Sequence, residues 1–335
     1  MLLTAMTRLL KPAIVSLSCL ALLGLSTGPE TAAAGWKKAP VVPKIDKGSR
    51  AKLLVTLQRG WRLGNRANVF AKVGDSLTES AAFAQGMGCR RWVPGRFKRL
   101  RPGIRHFSAR GLPGTSTYCP GVNSFSRNSA ATKGGKTSYW PLQVGAAEDP
   151  SCASYESPLV CEVRLTRPAY ALILLGANDL ALAKGIPGAD PLPGFLSNMD
   201  QIVRSTRALG VAPILTTLPP RTFTPEDAAA GERVNAGLHR LAVKRRVPLM
   251  NLWRALAPLP NSGLASDRVH LSLFGGPECL DVCDPNTCAP GCQPASFTRA
   301  GLGYGYNVFN LSTALLLDRL VKLSRERREG ERAGR

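Results

Sequence analysis

Tyr170 to Leu175 reads Tyr-Ala-Leu-Ile-Leu-Leu, an apolar run of strand length with no polar alternation, which suits a β-strand buried on both faces. Similar short runs occupy Val69 to Val73, Val211 to Leu218 and Val247 to Leu252. Amphipathic stretches lie between them. Phe195, Met199, Ile202, Val203, Thr206 and Leu209 fall at helical spacing and Gly210 closes that helix. Thr224-Pro225 is an N-cap and first-turn pair for a helix carrying Val234, Leu238 and Leu241, and Leu311 to Leu323 forms a last helix with one apolar side. Short buried runs separated by helices predict strand-helix-strand units around a parallel sheet, an α/β fold.

The 335 residues, 44% of them hydrophobic, can bury a substantial core. Arg8 and Lys11 precede an apolar run from Ala13 to Leu25, too short to span a bilayer, and Ala32-Ala33-Ala34 offers small residues for cleavage. Residues 1–34 are therefore expected to be a secretion signal, in preference to an uncleaved anchor or a lipid attachment at Cys19. Residues 35–60, rich in Lys and Pro, read as a linker, and 326–335 as a solvated tail of mixed charge. Three long irregular stretches, Gly86 to Arg105, Pro120 to Pro158 and Gly275 to Thr298, carry or flank cysteines and are expected to be disulfide-pinned insertions.

Removing the signal would leave eight cysteines, an even number that fits disulfides in an oxidising compartment, secreted or periplasmic. Nearness in sequence favours Cys89 with Cys119, Cys152 with Cys161, and two bridges among Cys279, Cys283, Cys288 and Cys292. That last cluster also has zinc-ligand chemistry, which export disfavours, and Asp281, Asp284 and Asn286 beside it fit no EF-hand loop.

Three motifs carry chemistry. Gly74-Asp75-Ser76-Leu77 sits where a strand ends and a helix begins, a turn that exposes a serine oxygen beside free helical N–H groups. Gly176-Ala177-Asn178-Asp179 follows the buried strand at its carboxyl end, where parallel sheets bind ligands, and Asn178 has an amide to offer an oxyanion. Asp267-Arg268-Val269-His270 places a carboxylate three residues before an imidazole, so that one ring nitrogen is held and the other is free to take a proton from serine. The two other histidines, His106 and His239, have no acidic partner at such spacing. The first motif also has a structural reading as a simple turn with Asp75 or Ser76 as a helix cap, and the second as a turn whose Asn tolerates left-handed backbone.

In this order the three motifs resemble those of the SGNH hydrolase superfamily, also called the GDSL family. The resemblance covers roughly Val69 to Leu323, and the corresponding domain is expected over 61–325. It implies a three-layer α/β/α sandwich with a flavodoxin-like parallel sheet, hydrolysing esters with no metal or cofactor. It further implies Ser76 as nucleophile, His270 as general base and Asp267 as its orienting partner. The implied oxyanion donors are the Ser76 N–H, the Asn178 side chain and a glycine N–H from Gly111-Leu112-Pro113-Gly114-Thr115, with Gly114 expected before Gly111; Ala109 stands where many members have asparagine.

The formal charge of +22, falling to +21 when Arg8 and Lys11 leave with Glu30, gives a surface that attracts anions. Basic residues are spread along the chain, which does not mark a specific nucleic-acid site. The expected protein is a monomeric, secreted esterase acting on small acyl esters, such as O-acetyl groups of carbohydrate, without a transmembrane span. Trp140, Tyr139 and Tyr155 are candidates to stack on sugar. Two other readings are an inactive surface protein binding polyanions and an O-acyltransferase sharing the acyl-enzyme step.

Overall fold

A computed structural model describes residues 35–89, 91–117, 119–275 and 295–333. Four parallel strands, β1 (Arg66–Gly74), β2 (Pro168–Leu174), β3 (Ala212–Thr216) and β4 (Leu249–Met250), lie side by side in that order. All seven residues of β2 are buried, which is why its sequence shows no alternation. The run expected as a longer fourth strand stops after Met250 because Asn251 turns out of the sheet and accepts the Arg254 N–H at 3.1 Å, capping the next helix.

Helices flank the sheet in the α/β/α arrangement. After β1 come the short α2 (Ser76–Glu79) and α3 (Gln85–Gly88), then α4 (Arg101–Ser108), following α1 (Lys47–Arg62) at the amino end. Next are α5 (Pro158–Thr166), α6 (Ala177–Lys184), α7 (Leu192–Ala208), α8 (Pro225–Arg245), α9 (Leu252–Leu256) and α10 (Gly305–Ala333). Helix α4 packs on α10, and α7 packs on α8. The Phe107 ring of α4 meets Phe70 of β1 and Tyr170 of β2 edge-on, at centroid distances of 5.5 and 6.1 Å, which welds that helix layer to the strands.

At its carboxyl end the edge of β1 away from β2 makes a β-bridge with Thr132, and further along it the Phe70 N–H donates to the Ser124 hydroxyl at 3.1 Å and the Ser129 hydroxyl donates to the Lys72 carbonyl at 2.7 Å. Gly74 accepts the Lys133 N–H at 3.1 Å and donates to the Ala131 carbonyl at 3.0 Å, so residues 131–133 take the place of a neighbouring strand. This brings the middle of the 120–158 insertion to the carboxyl end of β1. Disulfides Cys89–Cys119 and Cys152–Cys161 tie its flanks down, with Cα separations of 5.2 and 5.4 Å. Cys279, Cys283, Cys288 and Cys292 lie outside the described residues, as does the expected signal 1–34.

Residues 36–60 differ from the expected linker. Trp36 is buried and meets Trp253 edge-on at 5.0 Å. Asn251 donates to the carbonyls of Trp36 and Ala39 at 2.7 and 3.1 Å, and Arg319 reaches those of Val42 and Pro43. Asp46 then N-caps α1 by accepting the Ser49 N–H at 2.9 Å. These anchors come from some two hundred residues away in sequence, so no local periodicity announces them. At the other terminus, α10 runs on to Ala333 through most of the expected tail.

Among the described residues no helix is long and apolar enough to cross a membrane.

Candidate active site

Gly74 ends β1 with no room for a side chain: a Cβ there would stand 2.4 Å from the Thr78 hydroxyl and 2.6 Å from the Leu174 carbonyl. Asp75 follows as the N-cap of α2, accepting the Leu77 N–H at 3.1 Å. Ser76 is thus the first helical residue. Its own N–H makes no hydrogen bond among the described residues, and it sits at the positive end of a helical turn.

The loop after α9 brings the imidazole to this hydroxyl. Ser76 Oγ and His270 Nε2 are 3.0 Å apart, and His270 Nδ1 is 2.6 Å from Asp267 Oδ2. The second oxygen, Asp267 Oδ1, accepts the N–H groups of Val269 and His270, each at 2.9 Å. The turn between them requires Arg268 at φ +54°, a left-handed conformation that costs an arginine about 1 kcal/mol. Although desolvation opposes it, the His270 hydrogen bond and these two N–H groups hold the Asp267 carboxyl below the ordinary aspartate range. Asp267 therefore stays an acceptor, and the ring is oriented with its free nitrogen on the serine.

Gly176 has φ +125° and is pressed against the Phe195 ring, where a Cβ would come within 2.8 Å. Such a turn starts α6 with Asn178 and Asp179 in its first turn. Asn178 Nδ2 donates to the Lys136 carbonyl at 3.0 Å, which fixes the amide and leaves its second N–H for another acceptor. Asp179 accepts from the Ser138 N–H at 2.9 Å and hydroxyl at 2.5 Å, and Asn198 donates to the same hydroxyl at 3.0 Å.

The glycine placed beside Ser76 is Gly134. A Cβ on it would be 3.6 Å from the Ser76 Cβ, and its N–H donates to Glu79 Oε2 at 2.6 Å. Gly114 has φ +100° and packs on the Arg127 guanidinium, which also binds the Pro113 carbonyl, and it lines a cleft together with Glu79, Thr132 and Lys133. Gly111 has no neighbour within 4 Å of where a Cβ would be. One segment thus stitches the site together, with Thr132 bridged to Gly74, Gly134 bonded to Glu79, Lys136 to Asn178 and Ser138 to Asp179. The only sequence signal for it was the pair Gly134-Gly135 within an otherwise irregular stretch. Trp140 is buried and donates to the Ala146 carbonyl at 3.0 Å, so it packs instead of facing a ligand, while Tyr139 and Tyr155 are exposed. His106 contacts the Ala67 carbonyl at 3.3 Å and the Phe107 ring, and His239 lies half-buried on α8.

Burial pushes the Asp75 carboxyl up to about 7, assisted by Asp179 and opposed by the Leu77 N–H and His270. Its Oδ2 has no hydrogen-bond partner among the described residues. Unfolded, this group ionises near 3.8; folded, it holds its proton to about 7, so its contribution to stability declines as pH rises across that window. Asp75→Asn preserves the cap and removes the decline. Relative to wild type, the variant should gain about 1.4 kcal/mol per pH unit between those limits, by urea denaturation at several pH values. Parallel stability curves for the two proteins would rule this out.

A model of the GDSL-like lipase/acylhydrolase family matches residues 73–275, more than half of the chain, a span that takes in all three motifs. The chain belongs to that family. It is a carboxylic ester hydrolase of the GDSL type. Comparison with curated proteins gives no match. Among solved structures, this GDSL protein is similar to a lipase/acylhydrolase from Enterococcus faecalis, with 16% identity, 75% of this chain and 95% of that one covered, and a TM-score of 0.42. An acetylxylan esterase from Geobacillus stearothermophilus aligns at 14% identity over 74% and 93% of the chains, with a TM-score of 0.42. A psychrotrophic esterase from Pseudoalteromonas sp. aligns at 18% identity over 61% and 87%, with a TM-score of 0.36.

Proposed function

We infer that this GDSL hydrolase cleaves small acyl esters, O-acetyl groups of carbohydrate in particular, through an acyl-serine intermediate outside the cytoplasm. The observation that carries the mechanism is the relay Ser76 Oγ to His270 Nε2 at 3.0 Å and His270 Nδ1 to Asp267 at 2.6 Å. His270 takes the Ser76 proton as the oxygen attacks the acyl carbon, and the charge moves to the former carbonyl oxygen. The Ser76 N–H and the second N–H of Asn178 Nδ2 receive that oxyanion, and a glycine N–H, from Gly114 or from Gly134 once Glu79 releases it, is the third donor. His270 then protonates the departing alcohol, and a water activated by the same ring cleaves the acyl-serine.

The small acyl group and the sugar alcohol rest on an open site. The side chains of His270 and Asp267 are 44% and 49% exposed, and Tyr139, next to the site-binding Ser138, presents its ring to solvent. The two disulfides support an oxidising compartment.

A fluorophosphonate probe tests the mechanism directly. Wild type is expected to be labelled and Ser76→Ala to remain unlabelled; no labelling of wild type would favour a protein that keeps the fold without the chemistry. Asn178→Ala should lower kcat by about 10²–10³ while the melting temperature stays close to wild type, because it removes a donor to the transition state. Unchanged kcat would remove Asn178 from the oxyanion site.

A further inference from the structure

Arg268 stands in the middle of the turn that carries Asp267 and His270, exposed to solvent and with a left-handed backbone, φ +54°. Its N–H donates to the Ala265 carbonyl at 3.0 Å, and the Ala265 N–H donates to the His270 carbonyl at 2.9 Å, so turn and catalytic pair move together. The guanidinium forms no ion pair or side-chain hydrogen bond among the described residues, unlike Arg221 and Arg245, which are matched to Asp227 and Asp200. The adjacent Asp267 forms no ion pair with it, its two carboxylate oxygens accepting from His270 and Val269.

Arg268 lines a cleft of about 510 Å³ together with Thr222, Asn261, Ser262 and Ser266. Among the described residues, no acidic side chain lines that cleft. Asn261 and Ser262 also hold left-handed backbones, at φ +48° and +55°, in the segment just before the catalytic turn. Hydroxyl and amide groups beside a guanidinium that is held in no ion pair among the described residues match a molecule that is rich in hydroxyls and bears a carboxylate. The planar fork of arginine binds a carboxylate through two parallel N–H bonds.

We propose that this cleft is the subsite for the alcohol part of the substrate and that Arg268 selects acetylated sugars carrying a carboxylate, that is, uronic acids. The proposal rests on the acetylated-sugar reading above and specifies its substrate class. It also gives the strongly basic surface a role, because the long-range field gathers acidic glycan and Arg268, in the turn between Asp267 and His270, receives its carboxylate.

The test measures acetate release from an acetylated uronic acid and from the same sugar with its carboxyl as the carboxamide. Wild type is expected to favour the acid in kcat/KM by about tenfold, through KM, with the preference shrinking as salt is raised. Arg268→Asn retains a residue that accepts the left-handed backbone, and should bring the ratio close to one, whereas Arg268→Lys should keep part of it. Equal use of the two esters by wild type, or a preference that survives in Arg268→Asn, would overturn the carboxylate subsite alone. Hydrolysis of neither ester would overturn the acetylated-sugar reading beneath it.

Discussion

Ser76→Ala and His270→Ala are each expected to lower kcat by about 10⁴–10⁶, and the double variant should be no slower than the slower single. The serine oxygen is a poor nucleophile until His270 removes its proton, and His270 has nothing to deprotonate once the hydroxyl is gone. At 3.0 Å the two atoms form one functional unit, so removing either removes the step. Rates with an activated acetyl ester, read alongside circular dichroism to confirm folding, give the comparison. Losses that multiply in the double variant would mean that the two side chains contribute separately, and the relay would have to be abandoned.

The second large effect concerns stability. Arg127 is buried, its Nε lies 3.2 Å from both oxygens of buried Glu162, and it also binds the Pro113 carbonyl. Burial pushes the Glu162 carboxyl up, with Arg127 and the Ala130 N–H opposing. Lys72 on β1 shares the pocket, donating to the Phe125 carbonyl at 3.3 Å, and burial lowers it to about 8. Arg127→Met leaves Glu162 without its partner and should cost about 3–5 kcal/mol, a fall in melting temperature on the order of 10 °C. The carboxyl that remains will hold its proton further above the ordinary 4.5, so the deficit should be greatest at neutral pH and should shrink on acidification toward that value. Adding Glu162→Leu should recover part of the loss, since it removes the stranded charge but leaves Lys72 buried. A deficit below about 1 kcal/mol at neutral pH would show that the ion pair does not hold the insertion in place.

The parts of the fold that sequence made legible are those governed by local pattern. The strand at 168–174 stands out because burial on both faces leaves only apolar residues, and the α7 stripe from Phe195 to Thr206 because one helical face meets the core. The motif residues Ser76, Asn178, Asp267 and His270 were readable because each sits at a strand end or turn whose backbone chemistry is local. What escaped depends on distant partners. Trp36 packs on Trp253, and the carbonyls of the amino-terminal segment are satisfied by Asn251, Arg254 and Arg319, so a stretch with no periodicity of its own is nonetheless docked. Gly134 was hidden for the same reason: its place beside Ser76 follows from one bridge at Gly74 and one carboxylate at Glu79. The turn at Gly114 offered a clear local glycine pattern, but its packing on Arg127, itself bound to Glu162, could not be read from that pattern.

Because residues 132–134 hold the strand end and helix of the nucleophile and residues 136–138, directly after them, hold the helix of the amide, loosening this short stretch releases both at once. Mild heating or a nick in this short stretch would therefore disable the enzyme in one event while the strands beneath remain assembled, making catalytic lifetime a property of the surface loop more than of the interior.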